Sequence, residues 1–276
     1  MCQPTNPCSS SLRSSKVFCG SDSNIAVDNL LEGLVKKGIN AVRIGRPEGA
    51  SPHLLRYCVE EQAKQAANQA RDRGAAPNEI KQASFMTRQR MVSSAEVVCA
   101  TCIGAAAGYL SDFSFCHILI DEASQAHELS TLVPIIHGAQ QLVLVGDHCQ
   151  LPPTISCDAA KNDGLDVSLY DRLVQSGVPA FILDTQYRMH PKIAEFASDA
   201  FYGGKVKNGV AALDRLPPRG IEWPVQDTGV MFINLVGGNE VSDGVSKSNE
   251  KEVRTSSVTV SRSGVLQNSL CDVNMS

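Results

Sequence analysis

Three short segments of this chain place acids, an amide and an arginine directly after apolar runs, an arrangement that suits chemistry on phosphates. In the first, His117-Ile118-Leu119-Ile120 leads into Asp121-Glu122-Ala123-Ser124. An apolar strand of this kind delivers two adjacent acids to its C-terminal end, where open parallel sheets bind ligands. Neighbouring side chains there point in different directions, so Asp121 can hold a magnesium ion through water while Glu122 polarises an attacking water. Nucleotide hydrolysis requires that division of labour, because phosphoryl transfer depends on metal, positioning and charge stabilisation. The same acids can instead cap the helix that follows.

In the second segment, Leu142-Val143-Leu144-Val145 runs into Gly146-Asp147-His148-Cys149-Gln150-Leu151-Pro152-Pro153. The Gly-Asp turn frees the backbone, and the prolines stiffen the exit. The neutral amide of Gln150 can both donate and accept, which suits it to sensing a terminal phosphate and its attacking water. A polar turn with a proline stop is the alternative. The third segment is Leu183-Asp184-Thr185-Gln186-Tyr187-Arg188-Met189-His190-Pro191. Arg188 is permanently charged and can bind two phosphate oxygens at once, although an isolated arginine can equally form a surface ion pair.

The elements that must carry these groups alternate along the chain. Lys16 to Cys19, Ala41 to Ile44, Glu96 to Ala100, His117 to Ile120, Gln141 to Val145, Ala180 to Leu183 and Val230 to Asn234 read as strands, several apolar on both faces as in a buried parallel sheet. Between them, Val27, Leu30, Leu31, Leu34 and Val35 form a helical stripe behind a candidate cap at Asn24, with Gly38 as its stop. Ile193, Phe196, Ala197, Ala200 and Phe201 form another, with Pro191 in its first turn. The pattern predicts an α/β fold with helices on both faces of the sheet. Residues 1–15 and 254–276 lack periodicity and are expected to be disordered tails.

Composition narrows the function classes. At 43% hydrophobic residues the chain can bury a core, while a net charge of −4 excludes a broadly basic nucleic-acid surface. Any nucleic-acid contact must be local. Lys64, Arg71, Arg73, Lys81, Arg88 and Arg90 lie among Gln, Ala and Glu, and read as a solvated helical face rather than a binding stripe. Ten cysteines are spread through apolar runs, which points to reduced thiols. Cys99 and Cys102 form a CxxC without a second pair at zinc-ligand spacing, and read as packing. No signal core or membrane-length apolar run is visible, so the expected location is cytoplasmic or nuclear.

Taken in order, DEAS, GDHCQLPP and LDTQYRMHP resemble motifs II, III and IV of superfamily 1 helicases of the up-frameshift (nonsense-mediated decay) type. EVVCATCIGAA is similar to that family's motif Ic and SNIAVDNLLEGL to its motif Ia, although CGSDSN departs from the usual Cys-Ala-Pro-Ser-Asn. AVRIGRPE, SLYDRLVQSGVP and FINLVGGNEVSDGVSKSNEKEV extend the likeness over residues 16–253. The resemblance implies RecA-like architecture, with a partial first motor domain at 16–179 and the beginning of a second at 180–253. It implies ATP and Mg2+ as cofactors, magnesium coordination by Asp121, a general base in Glu122, a γ-phosphate and coupling role for Gln150, and γ-phosphate contact by Arg188. Tyr187 would lie near the nucleotide base. Ser23, Asn24, Thr101 and Gly104 would touch the backbone of single-stranded RNA or DNA, holding phosphates without reading sequence. A satisfied hydroxyl at a strand end is the alternative for Thr101.

One part of such a motor is not among these residues. No G-x-x-x-x-G-K-[ST] occurs, and the one Gly-Lys, at Gly204-Lys205, precedes Val206 and lies far past the acid pair. The 276-residue chain is therefore expected to hydrolyse ATP poorly or not at all by itself, and the loss of a sheet strand is expected to leave apolar edges prone to association. Two readings follow: a piece of an ATP-dependent helicase, or a non-catalytic fragment that binds single strands or a partner.

Overall fold

The computed structural model describes residues 16–217, 223, 225, 230–236, 238–243 and 246–255. The expected tails at 1–15 and 254–276 lie outside them, apart from Arg254 and Thr255, which are helical. The chain divides into two compact units, Met1–Ala180 and Phe181–Ser276.

In the first unit the elements run β1 (Lys16–Ser21), α1 (Asn24–Lys36), β2 (Ala41–Arg43), α2 (Val59–Asp72), α3 (Pro77–Ser94), β3 (Val97–Thr101), β4 (Phe115–Ile120), α4 (Glu128–Ile135), β5 (Gln141–Leu144), α5 (Asp158–Asn162) and α6 (Leu169–Gln175). The five strands form one parallel sheet in the order β2-β3-β1-β4-β5. It is the α/β architecture that the alternating pattern predicts, and it is RecA-like as the resemblance implies.

Strand alternation splits the core into two layers. On one face Phe18, Val98, Ala100, Phe115, Ile118 and Ile120 pack with Val59 of α2 and Val92 of α3. On the other, Cys19, Val97 and Cys99 meet Val27 and Leu31 of α1. Helices therefore cover both faces. Every strand is parallel, so all five C-terminal ends open on one edge of the sheet. At one edge of the sheet β5 leaves Val143 51% exposed.

The helix begins one residue earlier than expected: the N-cap of α1 is Ser23, whose Oγ accepts from the N–H of Ala26 at 3.1 Å, and not Asn24. Asn24 is instead drawn into a buried network, described below. Gly38, with φ 76°, follows the C-cap in the left-handed region that a helix stop favours.

The second unit contains β6 (Thr185–Gln186), α7 (Pro191–Tyr202), β7 (Lys207–Asn208), β8 (Val241–Asp243) and β9 (Ser246–Ser248). Pro191 opens α7 as its spacing predicts. Two expected strands are corrected here. Residues 180–183 and 230–234 are irregular, with Phe181 96% exposed and Phe232 89% exposed. A short apolar run becomes a buried strand only where neighbours supply a ladder and a cover, and among the described residues of this unit β6 pairs with β7 over two residues alone.

Candidate functional site

The two acids emerge where β4 ends. The Asp121 N–H donates to the Gly20 carbonyl at 2.8 Å, so the ladder to β1 carries on to the first acid. Glu122 then turns sharply away: its φ of 54° is the only left-handed value at a non-glycine among the described residues. Such a backbone costs roughly 1–3 kcal/mol and persists where its surroundings over-determine it, typically at functional sites. Its surroundings do so here. The Glu122 N–H donates to Asp121 Oδ1 at 3.1 Å, Glu122 Oε2 accepts from Gln125 Nε2 at 2.9 Å, and the next N–H, of Ala123, joins the Val145 carbonyl at 2.8 Å.

Glu122→Asn is accordingly expected to stabilise the first unit by about 0.5–1 kcal/mol, because asparagine tolerates this conformation better. Urea unfolding measures it; an unchanged or lowered midpoint would show that the turn is unstrained.

Ser124 locks the acid loop to the loop after β5. Its buried Oγ accepts from the Asp147 N–H at 3.0 Å, and a Cβ on Gly146 would stand 2.9 Å from the Ser124 nitrogen, so the crossing needs glycine. Asp147 Oδ2 in turn accepts from Gln150 Nε2 at 2.7 Å, which fixes the amide of the second segment. Asp121, Glu122 and Gln150 thus share the ends of two paired strands.

Ser23, Asn24, Thr101 and Gly104 gather at the ends of the adjacent pair. Ser21 lies opposite Thr101 in register, and the Cys102 N–H donates to the Ser21 carbonyl at 2.9 Å. Thr101 Oγ1 accepts from the Gly104 N–H at 3.0 Å and would stand 2.9 Å from a Cβ there, so this turn also needs glycine. Both sets of predicted site residues therefore line one edge of one sheet. Tyr187 and Arg188 belong to the second unit, where Gln186 Oε1 accepts from the Arg188 N–H at 2.9 Å, and Arg215 donates to both carbonyls, at 2.8 Å to Tyr187 and 3.0 Å to Arg188.

Sequence reasoning missed the support beneath Asn24. Arg43 is fully buried at the end of β2. Its Nε donates to Asp28 Oδ1 at 2.7 Å, and its Nη2 to Asn24 Oδ1 at 2.8 Å and to the Gly49 carbonyl at 2.9 Å. Asp28 Oδ2 accepts from both the N–H and the hydroxyl of Ser51 at 2.7 Å. Burial alone pushes the Asp28 carboxyl up, but the Ser51 hydrogen bonds and the guanidinium outweigh it and hold the group below its ordinary range. The signal was present as a lone arginine inside the apolar Ala41-Val42-Arg43-Ile44, which cannot be buried without an acid.

Two further sets of residues lie elsewhere in the first unit. Cys99 and Cys102 are fully buried, and burial pushes the Cys102 thiol up to about 12. In the α2–α3 hairpin Lys64, Arg71, Arg73, Lys81 and Arg90 are exposed, while Arg88 pairs with Glu60 at 2.9 Å. No helix among the described residues is long and apolar enough to cross a membrane.

Comparison with known proteins places these segments. Two family models, each described as an AAA domain, match residues 69–157 and 165–263. The Regulator of nonsense transcripts 1 homolog of Arabidopsis thaliana is 36% identical over 253 residues, covering 82% of this chain and 20% of that protein. Its Drosophila melanogaster counterpart is 35% identical, over 84% of this chain and 21% of its own length. An ATP-dependent helicase of Saccharomyces cerevisiae is 42% identical over 157 residues, covering 56% of this chain and 16% of that protein. The chain thus spans about a fifth of the length of these curated relatives. The three ordered motifs all fall inside the matched models, and the chain belongs to the superfamily 1 helicases of the up-frameshift type.

Proposed function

We propose that this chain is part of the motor of an ATP-dependent helicase that moves along single-stranded RNA or DNA in the cytoplasm or nucleus. Residues 16–179 would belong to its first RecA-like domain and 180–253 to the start of its second. The strained Glu122 carries the proposal: among the described residues the one non-glycine held in the left-handed region is the second acid of the pair, at the binding edge of a parallel sheet.

The donor set fits the magnesium and terminal-phosphate end of a bound nucleotide. Asp121 offers the hard carboxylate oxygens that magnesium takes, here through water. Bound magnesium would neutralise charge on the β- and γ-phosphate oxygens. Glu122 orients the attacking water and takes its proton, and Gln150, held by Asp147, reports the terminal phosphate to the neighbouring loop. By family resemblance Arg188 and Tyr187, in the second unit, would touch the γ-phosphate and the nucleotide base. On the same edge Ser23, Asn24, Thr101 and Gly104 offer hydroxyl, amide and main-chain donors to a single strand.

Without the cradle of backbone amides and the lysine that hold the phosphates, the 276-residue chain is expected to release phosphate at the background rate of its own Glu122→Gln variant, with or without RNA. Robust RNA-stimulated release abolished by Glu122→Gln would overturn the expectation that the chain alone is incompetent, while supporting the role given to Glu122. The single-strand residues all lie within the first unit, and this favours a second reading in which the chain alone acts as a binding fragment.

A further inference from the structure

We propose that Asp147, His148 and Cys149 form a binding site for a borderline transition-metal ion of the zinc type. In these three successive residues one carboxylate oxygen, one imidazole nitrogen and one sulfur lie within 4.8 Å of each other. It is the one such group of three among the described residues, and it stands whether or not the motor assignment holds.

The turn explains the convergence. The Gln150 N–H donates to the Asp147 carbonyl at 3.1 Å, which closes a tight turn with His148 and Cys149 at its centre. The Cys149 N–H donates to Asp147 Oδ1 at 3.0 Å and draws the thiol back toward the carboxylate. The Asp147 N–H is tied to Ser124 Oγ, so the base of the turn is fixed to the acid loop. Asp147 and Cys149 are half-buried while His148 is exposed and can swing, which is how the donors can close to the roughly 3.3–3.7 Å separations of a tetrahedral site.

The donor set selects the ion. One hard oxygen, one imidazole and one thiol suit Zn2+ or Co2+ and disfavour Mg2+ and Ca2+, which take oxygen alone. Three protein ligands leave a fourth position to water. As the metal–sulfur bond forms, the thiol proton passes to solvent and no electron changes hands. Coordination also draws on the carboxylate whose Oδ2 holds Gln150, so an ion here competes with the positioning of that amide.

Co2+ titrated into the whole chain is the probe, because a thiolate-bound cobalt ion has a charge-transfer absorption. One equivalent is expected to bind with that band, and Zn2+ to displace it. Cys149→Ser should abolish the band and His148→Ala should weaken binding about tenfold or more, whereas Cys157→Ser, at an exposed thiol elsewhere, should change nothing. Gln150→Ala should tighten binding several-fold by releasing Asp147. A band that survives Cys149→Ser, or no band at all with the fold intact by circular dichroism, would overturn the site.

Discussion

Arg43→Met is expected to destabilise the first unit by about 3–5 kcal/mol, a large part of the roughly 5–15 kcal/mol that keeps a domain folded. The buried guanidinium satisfies Asp28, Asn24 and the Gly49 carbonyl together, and its loss leaves a carboxylate at 7% exposure without its countercharge. Lysine cannot substitute, since one ammonium cannot reproduce the fork that spans these three acceptors. Arg43→Met combined with Asp28→Leu should recover most of the loss, because removing both charges leaves no unpaired ion. The contribution also depends on pH. Asp28 is held below its ordinary value of 3.8, so its stabilisation is present above that value and is lost as pH falls through the lowered folded value. Urea unfolding at pH 7 and in acid measures both effects. An Arg43→Met midpoint within about 1 kcal/mol of the original would show that the network is not what holds β2 to α1.

Asn24→Asp is expected to weaken single-strand binding about tenfold or more while leaving the fold intact. The structure separates the two ends of this side chain. Its Oδ1 accepts from Arg43 Nη2, a bond that an aspartate oxygen would keep and strengthen. The amide NH2 is the end that can donate to a phosphate, and the substitution replaces it with an oxygen bearing negative charge. Structural and binding roles therefore part in one variant. Oligonucleotide affinity and the unfolding midpoint, measured on the same preparation, should diverge; an affinity equal to that of the original chain would remove Asn24 from the proposed contact.

Much of the first unit was legible in the sequence because a buried parallel sheet writes itself as apolar runs. Phe18, Val98, Ile118 and Ile120 serve one layer, Cys19, Val97 and Cys99 the other, so each run could be read without knowing its partners. The position of the acid pair at a strand's C-terminal end was legible because it directly follows such a run, and that of Gln150 because it lies in the polar turn after the next one. What stayed hidden depends on contacts far apart in the chain. The Arg43 network joins residues 15 and 19 positions apart, and Ser124 meets Asp147 across 23. The left-handed turn at Glu122 is hidden for another reason, since glutamate is not a residue whose type announces that conformation. The strand readings at 180–183 and 230–234 failed because local pattern cannot supply a neighbouring ladder. Asn24 looked like a cap because Ser23 and Asn24 are both good caps; the hydroxyl took the helix and the amide took the arginine.

One edge of this sheet is proposed to grip a single strand by neutral groups. Fluorescence anisotropy of a labelled single-stranded oligonucleotide over a series of salt concentrations tests it most directly. Hydroxyls, an amide and main-chain N–H groups displace few counterions, so the claim predicts binding at low salt, preference over duplex, and a log–log salt slope smaller in magnitude than about 2. Absence of binding at low salt, or a steep slope shared equally with duplex, would contradict it.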